Sequence, residues 1–540
     1  MNLNSISGLL AVLALTGIPG AVAATAEPAQ MNGRGPWATT TVFTIGETLN
    51  GYTPPGIPDG MGAFEMDDQV VIFGNHELRN TQGYPYELAN GAVLSGARIS
   101  YLTFDRDSRE LVDTGLAFDT IYNRAGDAVA SPADLDFGAL HRLCSAGSFE
   151  AGQAGFVDDV FLAGEEAYGG TEFALDVHSG ELWALPWLGR AAWESVAALE
   201  VPQLNRTHVA ILVGDDRSDA PLLLYVGRKK PNGNFVERNG LGYGTLYMWV
   251  SDSGDLSPTD WNGTGTSRTG RFVEVVNYDP DQAGSAVSPW GFGFDEFGFA
   301  AQAELDWQKF TLGAFRFSRP EDLHTNPRRG KGNQVVYAST GRNTPINQGA
   351  DLWGTTYLVD VKINRGRIRT NNITAEITIL YDGDDAGKRD FGIRSPDNLV
   401  WADDGQIYIQ EDRSLGGFGA ASGEETSIWQ LDPITGQATR VAQMNRAGVP
   451  SGQFDVDPFD VGDWESSGII DVTDVFDAEG ERLLFFNVQA HSLRGGAISS
   501  ENLVEGGQYL FMSRKEEDDE DDEDDEGARS NSDGVSPGGF

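Results

Sequence analysis

The chain has 540 residues and a formal net charge of −43, from 81 Asp and Glu against 38 Lys and Arg. That balance excludes a nucleic-acid or anionic-membrane surface, where clustered basic side chains supply the affinity; it suits a saline environment or a binder of cations. With 68 Gly, 12 Trp and 28 Phe, the composition is that of a turn-rich β protein and not of a helical bundle.

The first element is an apolar run of about a dozen residues that ends in Ala21-Val22-Ala23, the small-residue pattern of a signal-peptidase site. A bilayer span wants about 20 apolar residues, so the run predicts export and not anchoring. The preceding MNLNSIS holds no Lys or Arg. The expected organisation is a signal peptide over 1–23, one large β domain over 24–513 and a tail over 514–540.

Hairpins follow along the whole chain. Residues 99–118, 171–187, 427–444 and 469–488 each alternate apolar and polar side chains, pass an Asp and a short Ser/Thr/Gly turn, and alternate again. Residues 397–412 turn at Asp403-Asp404-Gly405 in the same way. Hairpins over most of the chain, with few amphipathic helical stretches, predict radial repetition: an all-β propeller. No Trp-Asp blade signature sets the blade number. Long loops at 228–245 and 276–300 are expected to lie over the active-site face. The unbroken acidic run EEDDEDDEDDE (516–526) repels itself and predicts a disordered, solvating tail.

Carboxylates cluster beside turns that follow apolar strands: FGNHELRN (73–80), FLAGEEAYGG (161–170), VGDDRSDAP (213–221), SRPEDLH (318–324), SPDNLVW (395–401), QEDRS (410–414) and DWESSGIID (463–471). In a propeller such strand ends reach the central channel. Converging carboxylates need cations there, and Ca²⁺ takes about 6–8 oxygen ligands. Glu165 and Glu166 stand side by side, and Glu465 sits between an indole and small residues. The six histidines are scattered, with no zinc spacing, and there is no G-x-S-x-G elbow, phosphate loop or dinucleotide fingerprint. His76 reads equally as a structural or a functional residue.

Cys144 is the only cysteine, so no internal disulfide can form. Three readings stand: a small buried hydrophobe, a thiolate ligand to a transition metal, or a nucleophile. No His/Asn arrangement is visible to activate the last.

The strings LCSAGS (143–148), GEE (164–166), LGRAAWES (188–195), VGDDRSD (213–219), FSRPEDLHTNP (317–327), SPDNLVW, QEDRS and FFNVQAHS (485–492) occur in the order found in PhoX-type alkaline phosphatases. The chain resembles that family from about residue 50 to residue 512. The resemblance implies an exported, six-bladed propeller that hydrolyses phosphate esters with iron and several calcium ions. Carried over by position, Cys144 is similar to the family's iron-binding cysteine and Glu194 and Glu321 to its iron-binding carboxylates. Arg319 is similar to a phosphate-binding arginine. Glu165, Glu166, Asp216, Asp397 and Asp412 resemble members of the calcium shell, and Asn75 and Glu77 are carried over as metal ligands with them. Two departures stand out: the N-terminal segment has no twin arginine, and Gly164 stands where some relatives carry a cysteine. The resemblance makes Cys144 an iron ligand and not the attacking group.

The expected partner is a small-molecule phosphate ester, bound by a monomer in the periplasm or outside the cell, with no nucleic acid and no membrane insertion. Two other readings use the same acids: a calcium-dependent propeller hydrolase of another ester, phytase- or lactonase-like, and a non-catalytic, calcium-stabilised surface protein.

Overall fold

An alternating hairpin is apolar on at least one face, and a sheet built from several of them buries its faces only against neighbouring sheets. The computed structural model describes residues 25–287, 291–363 and 373–515 and shows that solution closed into a ring. The expected signal peptide and the acidic run lie outside the described residues. All five predicted hairpins are antiparallel pairs, for example Ser100 opposite Leu116 and Leu399 opposite Ile409.

Each fan of strands begins with an inner strand: β1 (Pro58–Met66), β2 (Leu143–Phe149), β3 (Trp193–Ala198), β4 (Pro320–Thr325), β5 (Pro396–Trp401) and β6 (Trp464–Asp471). The fans that start at β3 and β4 are joined along their outer strands into one nine-stranded sheet, through Gly270 opposite Ala375. The inner strands pack in cyclic order, β1 on β2, β2 on β3 and so on to β6 on β1. The chain's own beginning closes the ring. Strand Ala38–Thr44 completes the fan of β6, and Met31–Gly33 adds an edge to the fan of β5. The architecture is therefore a β-propeller.

Apolar layers between fans hold the ring. Between the second and third fans, Phe149, Val160, Trp193, Val196, Leu246 and Met248 share one buried cluster, and each such side chain contributes about 1.5–3 kcal/mol. Close approach at the hub requires glycine. A Cβ on Gly60 would stand 2.2 Å from the Ala146 nitrogen, so β1 and β2 touch backbone to backbone.

The long loops divide between the two ends of the ring. Segment 228–245 docks on turns at the end away from the site, with Lys229 Nζ donating to the carbonyls of Gly155 and Asn205, each at 2.6 Å. This corrects the expectation that both loops cover the active-site face. Segment 276–300 packs beside the second fan through an Arg124–Asp295 ion pair of 2.8 Å. It leads into helix Gln302–Leu312 at the site end, where Asp306 pairs with Arg217. No helix among the described residues is long and apolar enough to cross a membrane.

Candidate active site

The second residue of every inner strand is an acid or the cysteine: Asp59, Cys144, Glu194, Glu321, Asp397 and Glu465. In β1 to β5 the pairing register breaks immediately after this position, between Pro58 and Met61, Leu143 and Ala146, Trp193 and Val196, Pro320 and Leu323, and Pro396 and Leu399. Such a bulge re-aims the side chain it carries, and here it is repeated around the hub. A second ring comes from the residue directly after the second strand of each fan: Glu77, Glu166, Asp216, Thr340, Asp412 and His491.

The two rings interlock. Ligand atoms of Asp59, Glu77 and Cys144 lie within 4.8 Å of one another, as do those of Cys144, Glu166 and Glu194, and those of Glu194, Asp216 and Glu321. Cys144 and Glu194 each belong to two of these groups. The Cys144 thiol donates to Asp59 Oδ2 at 3.5 Å. Asp59 Oδ1 and Glu194 Oε2 are buried without a hydrogen-bond partner. Buried polar atoms normally have one, so these oxygens are the atoms an ion would satisfy.

Burial sets the electrostatics. It raises the carboxyls of Glu194, Asp397 and Glu465 well above the usual range, and neighbouring acids raise them further. Burial does the same to Glu321, against the opposing pull of Arg319. Asp59 is pushed up to about 7 by burial and then by Glu77. The Cys144 thiol rises through burial and the nearby Asp59 charge. Asp216 is the exception. Its burial would raise it, but Arg319 holds it below the usual range.

Two arginines occupy equivalent places, each just before an inner strand. Arg142 bridges Glu77, with Nη2 at 2.6 Å, and Glu166. Arg319 takes Asp216 with Nε at 2.8 Å and Nη2 at 2.7 Å, and Nη2 lies 3.0 Å from Glu321. Its fork is thus spent on Asp216. Nη1, 3.8 Å from Asp412 Oδ2, is the guanidinium nitrogen outside that fork. Thr340 donates its hydroxyl to Glu321, and His491 lies between Glu465 and Glu505.

The structure brings Cys144, Glu194, Arg319, Glu321, Glu166, Asp216 and Glu77 together, with Asp397 and Asp412 as electrostatic neighbours. Glu165 does not join them. Its carboxylate accepts backbone N–H bonds from His141 and Thr171, each 3.1 Å, and braces the turn instead of facing the ring. Asn75 also plays a bracing part: its amide donates to the carbonyls of Cys144 and Ser145 and fixes the bulge of β2. His76 is a structural residue, held by Ser100 and the Gly56 carbonyl, with burial lowering it to about 3. Sequence reasoning missed Asp59 and Arg142. The signal for Asp59 was the recurrence of Pro-Asp-Gly, Leu-Cys-Ser, Trp-Glu-Ser, Pro-Glu-Asp, Pro-Asp-Asn and Trp-Glu-Ser in phase with the inner strands.

A pH dependence follows. A carboxyl raised in the folded state binds its proton more tightly there than in the unfolded chain, so stability is lost as pH rises. For Asp59 that window runs from 3.8 to about 7. Chelator-treated protein should melt at progressively lower temperature between pH 5 and 8, and calcium should flatten the trend. A flat trend in the chelated protein would mean that these acids are not packed as described.

A family model described as alkaline phosphatase PhoX matches residues 177–449, half of the chain. Among solved structures, Pseudomonas fluorescens PhoX in complex with vanadate, a transition state analogue, matches with a TM-score of 0.58 at 17% identity, over 91% of this chain and 97% of that chain. The PQQ-bound aldose sugar dehydrogenase from Streptomyces coelicolor matches with a TM-score of 0.27 at 12% identity, over 68% of this chain and 98% of that chain. The Dos1 propeller matches with a TM-score of 0.30 at 8% identity, over 88% and 94%. No curated protein sequence matches the chain.

Proposed function

The chain belongs to the PhoX alkaline phosphatase family and is therefore a phosphoric ester hydrolase acting on small phosphate esters, and from that premise we propose that the double acidic ring is its catalytic centre. The observation that carries this reading is the chain of three overlapping ligand groups, joined through Cys144 and Glu194 and holding unpartnered buried oxygens.

The donor set fits a mixed centre. A single thiolate beside carboxylates suits a transition metal such as iron, held by Cys144 with Glu194 and Glu321. The oxygen-only part, Glu77, Glu166, Asp216, Asp397 and Asp412, suits calcium. When bound, these ions neutralise the acids, polarise the phosphoryl oxygens and make an oxygen nucleophile accessible near neutral pH.

The chain's own groups do the rest. Nine carboxylates (Asp59, Glu77, Glu166, Glu194, Asp216, Glu321, Asp397, Asp412 and Glu465) face two arginines, so an anionic ester is repelled until cations reverse the local sign. Asp216 anchors Arg319 so that the guanidinium cannot swing, and Nη1 is the nitrogen that donates to a phosphoryl oxygen. Arg142 bridges Glu77 and Glu166 and offsets their mutual repulsion. Asn75 keeps the Cys144 backbone in place. Catalysis then rests on positioning and charge stabilisation. Residues 24–513 are read as the catalytic unit, and residues 1–23 support export.

The deciding experiment is elemental analysis of the native protein alongside an aryl-phosphate assay with and without chelator. Iron and calcium in the protein, with activity that chelation abolishes and the two ions restore, are the expected results. Full activity in protein free of both metals would refute the centre.

A further inference from the structure

Asn398 follows Asp397 of the acidic ring on β5, and its side chain bonds on two sides. Its Nδ2 donates to Ser145 Oγ at 2.6 Å, and its Oδ1 accepts from Ser467 Oγ at 2.8 Å. Ser145 follows Cys144 on β2, and Ser467 belongs to β6. β2 and β5 stand three places apart in the cycle of six inner strands, so the first of these bonds crosses the hub. All three side chains are buried. A buried amide paired at both ends is a stiff strut, because breaking either bond strands a polar group.

The backbone that carries the thiol is gripped from other sides as well. Asn75 of the first fan donates to the carbonyls of Cys144 and Ser145, and the Ser145 N–H donates to Glu194 Oε1 of the third at 3.3 Å. The Ser145 hydroxyl has Asn398 as its one hydrogen-bond partner among the described residues. Below this layer the hub is hollow. A well of about 190 Å³ runs down the inner strands, from Ser145, Asp322 and Asn398 next to the ring to Ala198, Thr325 and Ile470 near the strands' other ends. It has room for water. None of the six inner-ring residues lines it. The Ser145–Asn398–Ser467 layer is therefore the floor of the acidic ring.

We infer that Asn398 is a positioning residue for the Cys144 thiol: bridged across the hub, it holds the β2 bulge for metal ligation and closes the ring's floor against the well. It acts through Ser145 and touches no substrate. The inference rests on the reading of Cys144 as a thiolate metal ligand and adds the group that aims it. Removing a group that orients a metal ligand from behind costs about 10–100-fold in metal affinity.

The test uses full-length protein stripped by chelator and titrated with Co²⁺, whose thiolate charge-transfer absorption reports Cys144 ligation directly. Asn398→Ala and Ser145→Ala should each weaken Co²⁺ binding by about 10–100-fold and diminish the band. The double variant should lose little more than either alone, because both changes break one bond. Ser467→Ala, which frees only the far end of the amide, should give a smaller loss. Leu431→Ala, a buried change in the third strand of the same fan as Asn398, controls for general destabilisation: it should lower the denaturant midpoint and leave Co²⁺ affinity unchanged. Should Asn398→Ala fail to fold, the Ser145→Ala and Ser467→Ala pair carries the test. Each of those serines bonds Asn398, so a non-additive loss between them passes through its amide. A full-strength band with unchanged affinity in Asn398→Ala overturns the strut. So do losses that simply add in the Ser145/Asn398 double variant, which would mean that Asn398 acts through Asp397, or an equal loss in Leu431→Ala. Absence of the band in the wild-type protein overturns the ligand reading of Cys144 itself.

Discussion

Cys144→Ser protein should fold, lose its iron and turn over an aryl phosphate on the order of 10³-fold more slowly, a loss of about 4 kcal/mol of transition-state stabilisation. Folding is spared because a serine hydroxyl can keep the thiol's hydrogen-bond contacts, to Asp59 Oδ2 at 3.5 Å and to Glu194, and the bulge that carries it is pinned by Asn75. Serine fills nearly the same space. What it lacks is a thiolate, and Cys144 supplies the one sulfur donor among the carboxylates of the three ligand groups. Two of the three ligand groups contain Cys144, so its loss weakens both. Metal content by elemental analysis and kcat measured on the same preparation check the prediction. Wild-type turnover in an iron-free Cys144→Ser protein would end the iron-ligand assignment.

Glu411→Ala should cost about 3–5 kcal/mol of stability, the usual penalty for stripping the partner from a buried charge. Arg394 is fully buried, and its Nε and Nη2 meet Glu411 at 3.0 and 2.8 Å. The guanidinium also lies 3.8 Å from the Phe418 ring centroid. Glu411 accepts from the Trp429 indole at 2.9 Å as well. Asp390, at 3.3 Å, is left as the one carboxylate on Arg394. The double change Arg394→Met with Glu411→Leu should recover much of the loss, because no charge is then stranded. Denaturant midpoints at fixed calcium measure both. A Glu411→Ala protein within about 1 kcal/mol of wild type would show that water or Asp390 compensates fully. The effect reaches the site, since Glu411 is the last residue of its strand and Asp412 of the outer ring follows it directly.

The site was partly legible before any fold was known. Acids at strand ends were visible as strings, and resemblance assigned roles to Cys144, Glu194, Arg319 and Glu321. Glu165 and Glu166 show the limit. Adjacent residues at a strand end point to opposite sides, and nothing in GEE says which side is the hub. The structure turns Glu166 to Arg142 and spends Glu165 on the backbone of its own turn. Arg319 shows a second limit. Its sequence neighbour Glu321 was legible, but the Asp216 that takes its fork comes from a different fan. Asp59 escaped because Pro-Asp-Gly alone reads as an ordinary turn; it becomes a signal only once the other inner strands are aligned with it.

Period-two alternation, the acid excess and the solitary thiol are properties of the chain itself, and they determined a β-rich hairpin protein whose acids call for cations. Only closure of the ring decided which acids share an ion, which arginine is already paired and which amide reaches across the hub. Those contacts join residues from different fans. Local periodicity sets the direction of a side chain relative to its own strand, but not the neighbour that strand will meet.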